Sequence, residues 1–444
     1  MAIRVEAFML KHIYVFLVFL CVYQAFNLIP STHIPGVFNI TDIGLLLIFI
    51  GITVCILRAS DLSMLNNVIT WHVFAYLIYV LAHVGIAGIY YGYSVVGGLI
   101  GVRHQFFWLS FLLFMLAFEK SENFAMFLNI ISYVVMVLII LSVVNYVGPT
   151  LFYHDWAEGQ GIRLGVTRGF IPAMPLVSMA GIWEGAKFVF RDRGKLLNGG
   201  RTILILAAHV FRMSRSRYIG VMSILFVQMV AKKQFKLLLV LAFVMCVGIA
   251  TLDAFLADDL ILGLIQNTVE ELVEGKGSWA SRMPQIEKAF DDFQKYPIFG
   301  SGAVAIRITE GLKITSDKQA EQVLLMVANR DLGFLVWLKL YGLVGVVWMT
   351  SFFLVLILKA LRVAKRGKGN TQIMAVFGLS SLGFILITSI NLNHYTLPAG
   401  CILVCLTAAA IMRADMEYRR SRATEGSALD AAEKRGITEG RLPE

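Results

Sequence analysis

The feature that most constrains this chain is a succession of apolar runs, each close to the roughly 20 residues a helix needs to cross a bilayer. Such runs occupy roughly 11–30, 37–57, 68–90, 95–118, 123–147, 170–190, 199–213, 216–231, 235–254, 331–361, 372–390 and 394–412. With 58% hydrophobic and 15% charged residues and a mean hydropathy of +0.74, 444 residues are too apolar for a water-soluble domain. The expectation is an all-α, polytopic integral membrane protein of about 12 transmembrane helices, with one large periplasmic loop containing short helices. The pair 199–213 and 216–231, separated by the polar stretch Arg212 to Arg217, also fits a single bent or re-entrant segment.

The formal charge of +10 does not imply nucleic acid, because the basic residues cluster between apolar runs. Lys187, Arg191, Arg193, Lys195 and Arg201 form one such group, and Lys232, Lys233 and Lys236 a second. Lys359, Arg362, Lys365, Arg366 and Lys368 form a third, and Arg413, Arg419, Arg420 and Arg422 begin the tail. All fall on one face of the expected topology, which the positive-inside rule makes cytoplasmic, with both termini inside. The resulting layout is nine spans in 1–253, an extracytoplasmic loop over 254–330, three spans in 331–412 and a solvated tail over 413–444. No cleavable signal is expected, since the first apolar run is long enough to span. Cys21, Cys55, Cys246, Cys401 and Cys405 all lie in apolar runs and read as small core residues.

Arginine on the wrong side is the informative anomaly. Arg212, Arg215 and Arg217 face the extracytoplasmic side, where positive-inside statistics disfavour them. Arg212 and Arg215 share a helical face, and a guanidinium fork matches phosphate oxygens, so a lipid pyrophosphate suits them. Pairing with loop carboxylates or snorkelling to headgroups is the alternative. Arg103, Arg163, Arg168, Arg282, Arg307 and Arg330 converge on the same face; each alone also fits a structural ion pair.

Acids and bases on that face are His154, Asp155, Glu158, Glu287, Asp291, Asp292 and Asp331. Asp331 follows Arg330 and is expected to open a helix at the membrane surface, where it either caps that helix or accepts a proton from a sugar hydroxyl. His394, at the outer start of the last span, is a packing residue or a second candidate base. Ser281 and Pro284 begin an expected loop helix whose apolar positions Ile286, Ala289, Phe290 and Phe293 recur at helical spacing, with Pro297 and Gly300 ending it. No zinc-protease, serine-hydrolase, nucleotide-binding or CxxC pattern occurs in supporting context, and no metal or cofactor is expected. Asp42 and Asp253 are the few membrane-flanking acids, which weakens a transport reading and leaves it as an alternative.

Ser214-Arg-Ser-Arg-Tyr-Ile-Gly resembles the serine-arginine helix start of the bacterial O-antigen ligase and polymerase family. Ser281-Arg-Met-Pro-Gln-Ile-Glu-Lys-Ala-Phe, leading to Tyr296-Pro-Ile-Phe-Gly-Ser-Gly, is similar to its loop helix and Pro-x-x-Gly-x-Gly turn, and Asp331-Leu-Gly-Phe-Leu with Leu340-Tyr-Gly-Leu-Val-Gly to the helix after the loop. The ligases carry His-Asn where this chain has Asp331-Leu332, as polymerases of the Wzy type do. The resemblance implies a metal-independent, inverting polymerase acting on undecaprenyl-pyrophosphate-linked glycan, surrounded by membrane lipids and working with a chain-length regulator and a flippase. By that resemblance Arg215, Arg217 and Arg282 would hold the pyrophosphate, Arg163 and Arg168 a second phosphate or the glycan, and Asp331 the acceptor hydroxyl. Arg212, Arg103 and Arg330 are further substrate-binding candidates, and an O-antigen ligase or a glycan-lipid flippase are the alternative functions.

Overall fold

The computed structural model describes residues 2–28, 39–58, 62–91, 95–152, 162–163, 166–167, 169–191, 194–212, 214–234, 236, 283–302, 332–389, 392 and 394–439, with Arg163 and Arg215 described by backbone alone. Among these residues the chain is all-α, apart from a two-residue antiparallel ladder that pairs Ile162 with Thr167 and Arg163 with Val166.

The helices are α1 (Ala2–Val22), α2 (Ile40–Arg58), α3 (Val68–Tyr91), α4 (Val95–Val102), α5 (Ser110–Ala117), α6 (Ser121–Val147) and α7 (Met174–Phe190). They continue as α8 (Lys195–Phe211), α9 (Arg215–Ala231), α10 (Met283–Lys295), α11 (Phe334–Arg366), α12 (Gly369–Thr388) and α13 (Pro398–Glu439). Starts are fixed by local chemistry. Asn39 and Asp42 exchange side-chain-to-amide hydrogen bonds of 2.9 and 3.0 Å, a capping box for α2, and Asn67 Oδ1 accepts the amides of Ile69 and Thr70 to cap α3.

Six of these helices, α2, α3, α6, α11, α12 and α13, are long and apolar enough to cross a membrane, and α1 and α9 add shorter apolar stretches. The outward faces are apolar too. Ile43, Leu46, Ile50 and Leu57 of α2 and Val347, Leu354 and Leu358 of α11 are exposed at helical spacing, as a surface solvated by lipid requires. Core and periphery differ sharply: 89% of the apolar window of α13 is buried against 33% of that of α2, so α13 is the central post, packed by α5, α6, α7, α11 and α12.

Long-range contacts define two ends of the bundle. At the first, Tyr23 reaches the Ala399 carbonyl, the Gly169 amide donates to Phe211 O, the Phe334 amide donates to Ser389 O, and Asp42 pairs with Arg103. At the second, Lys11 pairs with Glu119 at 2.7 Å, Lys359 with Asp415 at 2.8 Å, and the Ser121 amide donates to Glu417. The Lys11 ammonium holds the Glu119 carboxyl below its ordinary range.

Several expectations change. The run 95–118 is not one helix: a 3-10 segment, Arg103–Leu109, separates α4 from α5. Tertiary partners claim its polar groups, Gln105 accepting from Tyr76, Trp108 Nε1 donating to Tyr395 O, and the Trp108 carbonyl accepting the Cys405 thiol at 3.3 Å. The Arg212–Arg217 stretch separates two antiparallel helices rather than bending one. Each has 17 residues, about 26 Å at 1.5 Å per residue. Lys187 is no loop charge; it is buried inside α7. Arg413 is no tail charge either, its guanidinium lying buried in α13 and donating to Glu119 O and Met115 O. The tail itself is helical to Glu439, with 421–425 exposed.

The loop helix α10 begins at Met283 with Pro284 in its first turn. It docks on the start of α11: Ala289 is buried with Leu332 and Val336, whereas Phe290 is exposed. The 296–302 turn then fills a break in α11 at Gly342, where φ is +59°. The amides of Leu343 and Val344 donate to Pro297 O and Ile298 O, and those of Ser301 and Gly302 donate to Lys339 O and Leu340 O, at 2.9–3.1 Å. Non-helical backbone in an apolar bundle needs such partners. Tyr79 and His83 of α3 supply two more, donating to Tyr341 O at 2.8 Å and to Phe299 O at 2.7 Å.

Candidate functional site

The first end gathers the described arginines that sequence singles out. Arg212 follows the last residue of α8, where a cation suits the negative helix end. Its Nη1 donates to Gly169 O at 3.3 Å and its guanidinium lies 5.3 Å from the Phe170 ring, which ties the α8 terminus to the entry of α7. Gly169 is required there, since a Cβ would fall 1.8 Å from the Phe211 ring.

Arg217 stands two residues into α9, whose first turn carries no acid and whose preceding Ser214 makes no side-chain cap. A cation at a helix N-terminus is disfavoured by the backbone dipole, so Arg215 and Arg217 concentrate positive potential where the orphan amides already point outward. Gly220 allows this end of α9 close to α12: a Cβ there would meet Phe384 and Thr388 at 3.0–3.1 Å. The approach brings the Arg217 charge within electrostatic reach of Tyr23, His209 and His394.

Both histidines are buried and hydrogen-bonded. His209 Nδ1 donates to Ile205 O at 2.8 Å, leaving Nε2 as the acceptor for Ser178 Oγ at 2.9 Å. His394, in the turn between α12 and α13, has Nε2 2.8 Å from Thr388 Oγ1. Burial, with Arg217 adding to it, pushes His394 down to about 3, so its imidazole is neutral at physiological pH. A base this weak orients or accepts a hydrogen bond better than it removes a proton at pH 7. Tyr395 beside it shares a hydrogen bond with Ser389.

Other candidates are committed elsewhere. Arg103 pairs with buried Asp42 at 3.1 Å, which ties the 3-10 segment to α2. Asp292 pairs with Lys288 at 3.0 Å and Lys339 at 3.2 Å, holding α10 to α11 rather than offering a base, and Glu287 and Asp291 are exposed on α10. Helix α11 starts at Phe334 after Gly333, three residues beyond the opening position assigned to Asp331.

Arg168, Arg282, Arg307, Arg330, Asp331, His154, Asp155, Glu158, Cys246, Asp253, Ser281 and the apolar run 235–254 lie outside the described residues, apart from Lys236. Arg163 enters only through its ladder backbone and Arg215 only through α9. Among the described residues no three His, Cys, Asp or Glu side chains gather as a metal site. Sequence reasoning missed His209, although it lies three residues before Arg212 and so on the same face of α8; nothing local marks Tyr23 or Thr388, which arrive from other helices. Compared with known proteins, the chain matches no family model and no curated protein.

Proposed function

We propose that this chain is an inner-membrane glycosyltransferase that polymerises undecaprenyl-pyrophosphate-linked repeat units into O-antigen or exopolysaccharide at the periplasmic face. In this reading it has twelve spans, both termini are cytoplasmic, and the first end of the bundle is periplasmic. The observation that carries it is the presence of Arg212 and Arg217 at that one end, with Arg217 in an acid-free helix start within electrostatic reach of neutral, buried His394. Such a place attracts a strongly anionic group and offers it no competing carboxylate from α9.

The chemistry needs that charge. An acceptor hydroxyl attacks the anomeric carbon, the bond from that carbon to the pyrophosphate oxygen breaks, and the leaving pyrophosphate gains negative charge that guanidinium groups stabilise. Arg217, with Arg215 and Arg282, is assigned to the pyrophosphate, and Arg163 and Arg168 to a second phosphate or the glycan. Asp331 is assigned to take the acceptor proton. A chain-length regulator and a flippase are the partners this role calls for.

The test is the length-resolved carbohydrate profile of cells lacking the chain, complemented with wild type or Arg217→Ala. Loss of long polymer with single repeats retained, rescued by wild type and not by a normally expressed Arg217→Ala, is the expected result. Long polymer accumulating on the undecaprenyl carrier would instead mean a ligase. An unchanged profile would discard glycosyl transfer in favour of transport or a scaffold.

A further inference from the structure

At the second end, opposite Arg217, the turn from α11 to α12 and the exposed part of α13 enclose a cavity of about 540 Å³. Three cations line it, Arg366 from the last turn of α11, Lys368 from the link to α12 and Arg422 from α13. Nearby charges are already answered: Asp415 pairs with Lys359 and Arg419, and Glu417 accepts from the Ser121 amide and from Thr371. Arg366, Lys368 and Arg422 make no ion pair among the described residues. Three cations therefore gather around one concavity whose lining carries a single carboxylate, Glu425.

The remaining lining says what else the occupant carries. Tyr418, Ser421, Arg422 and Glu425 recur at i, i+3, i+4 and i+7, so α13 presents a ring face, a hydroxyl, a guanidinium and a carboxylate along one stripe. Thr371 faces them from the first turn of the 20-residue α12, whose preceding Lys368 makes no side-chain cap. Three cations against one carboxylate, next to a helix N-terminus, suit phosphate oxygens. Glu425, Ser421 and Thr371 suit hydroxyl groups, which a bare phosphate lacks.

We propose that this cavity binds a phosphate-bearing polyol, either the glycerophosphate headgroup of an anionic phospholipid or a soluble glycerol or sugar phosphate. The inference is independent of the glycosyl-transfer reading, because no residue of the first end takes part in it.

The test uses the full chain purified in neutral detergent, with its tryptophan fluorescence melt followed during titration with phosphatidylglycerol, phosphatidylcholine or sn-glycerol 3-phosphate. Saturable stabilisation by phosphatidylglycerol, with half-saturation raised at least tenfold by R366A/K368A/R422A, is expected. The exposed pair R362A/K365A, at the same end but outside the cavity, should leave it within twofold. Saturation by sn-glycerol 3-phosphate as well identifies a soluble ligand, and by phosphatidylglycerol alone a lipid headgroup. R422Q, a single change on an exposed face, should raise half-saturation severalfold with an unchanged melt in the absence of ligand, which separates binding from folding. No saturable response to either phosphate, an equal response to phosphatidylcholine, or an equal loss in R362A/K365A would overturn the proposal.

Discussion

Asp292 of α10 and Lys339 of α11 form an ion pair at 3.2 Å with both side chains more than nine-tenths buried, and it ties the loop helix to the bundle. Removing one partner of such a pair leaves an uncompensated buried charge, at a cost of roughly 3–5 kcal/mol. Asp292→Leu alone, which strands the buried Lys339 ammonium, should therefore lower thermal stability in detergent by that order, while Lys339→Met added to it recovers most of the loss. Equal stability of the single and double variants would show that the pair does not couple the two helices.

The break in α11 is a backbone-to-backbone junction with no room for a side chain. A Cβ on Gly342 would lie 2.5 Å from Ile298 O and 2.6 Å from Gly300 N, and both glycines have positive φ. Gly342→Ala should destabilise by more than about 2 kcal/mol, since left-handed strain alone costs roughly 1–2 kcal/mol and the clash adds to it. Limited proteolysis between α10 and α11 should speed up in parallel; an unchanged melt and cleavage rate would mean that the turn is not seated in the break.

His394 predicts an acid-sensitive fold. Its ordinary value is 6.5 and its folded value about 3, so the neutral ring is the form the fold favours. Its contribution is complete above pH 6.5 and is lost as pH falls from there towards 3, at up to about 1.4 kcal/mol per pH unit. Between pH 6.5 and 4.5 the wild type should lose about 2 kcal/mol more than His394→Asn, by paired denaturation curves at each pH. Parallel curves for the two proteins would place the acid sensitivity on other groups.

A second buried pair lies within α7. Glu184 is fully buried and accepts from Lys187 Nζ at 2.8 Å and from Ser132, with Arg201 at 3.8 Å, and Lys187 also donates to Asn129 at 2.9 Å. Lys187→Met should cost roughly 3–5 kcal/mol, and Glu184→Gln less, because a neutral amide leaves Lys187 a partner oxygen. Equal losses in the two variants, read from thermal melts, would mean that Arg201 rather than Lys187 balances Glu184.

The candidate site was half legible in advance. Arg212 and Arg217 stood out because cations at that position contradict the expected charge asymmetry, a signal local sequence carries. His394 was visible only as a lone histidine. Its neutral state depends on burial at the α12–α13 turn and on Arg217 arriving from α9. Arg103 reads like the other arginines in sequence, because its partner Asp42 lies in another helix.

Run length and hydropathy by themselves determined that helices in lipid are the building blocks, and turn chemistry located α10, its Pro284 start and the Pro297–Gly300 turn that follows its end at Lys295. These properties belong to single segments: a bilayer sets helix length, and a proline or a cap acts within a turn of its own position. The 3-10 interruption at Arg103–Leu109, the seating of the 296–302 turn in the Gly342 break and the burial of Lys187 and Arg413 were decided only by tertiary structure. Each depends on where a backbone carbonyl or a charge finds its partner once water is excluded, and those partners lie on segments that only packing brings together.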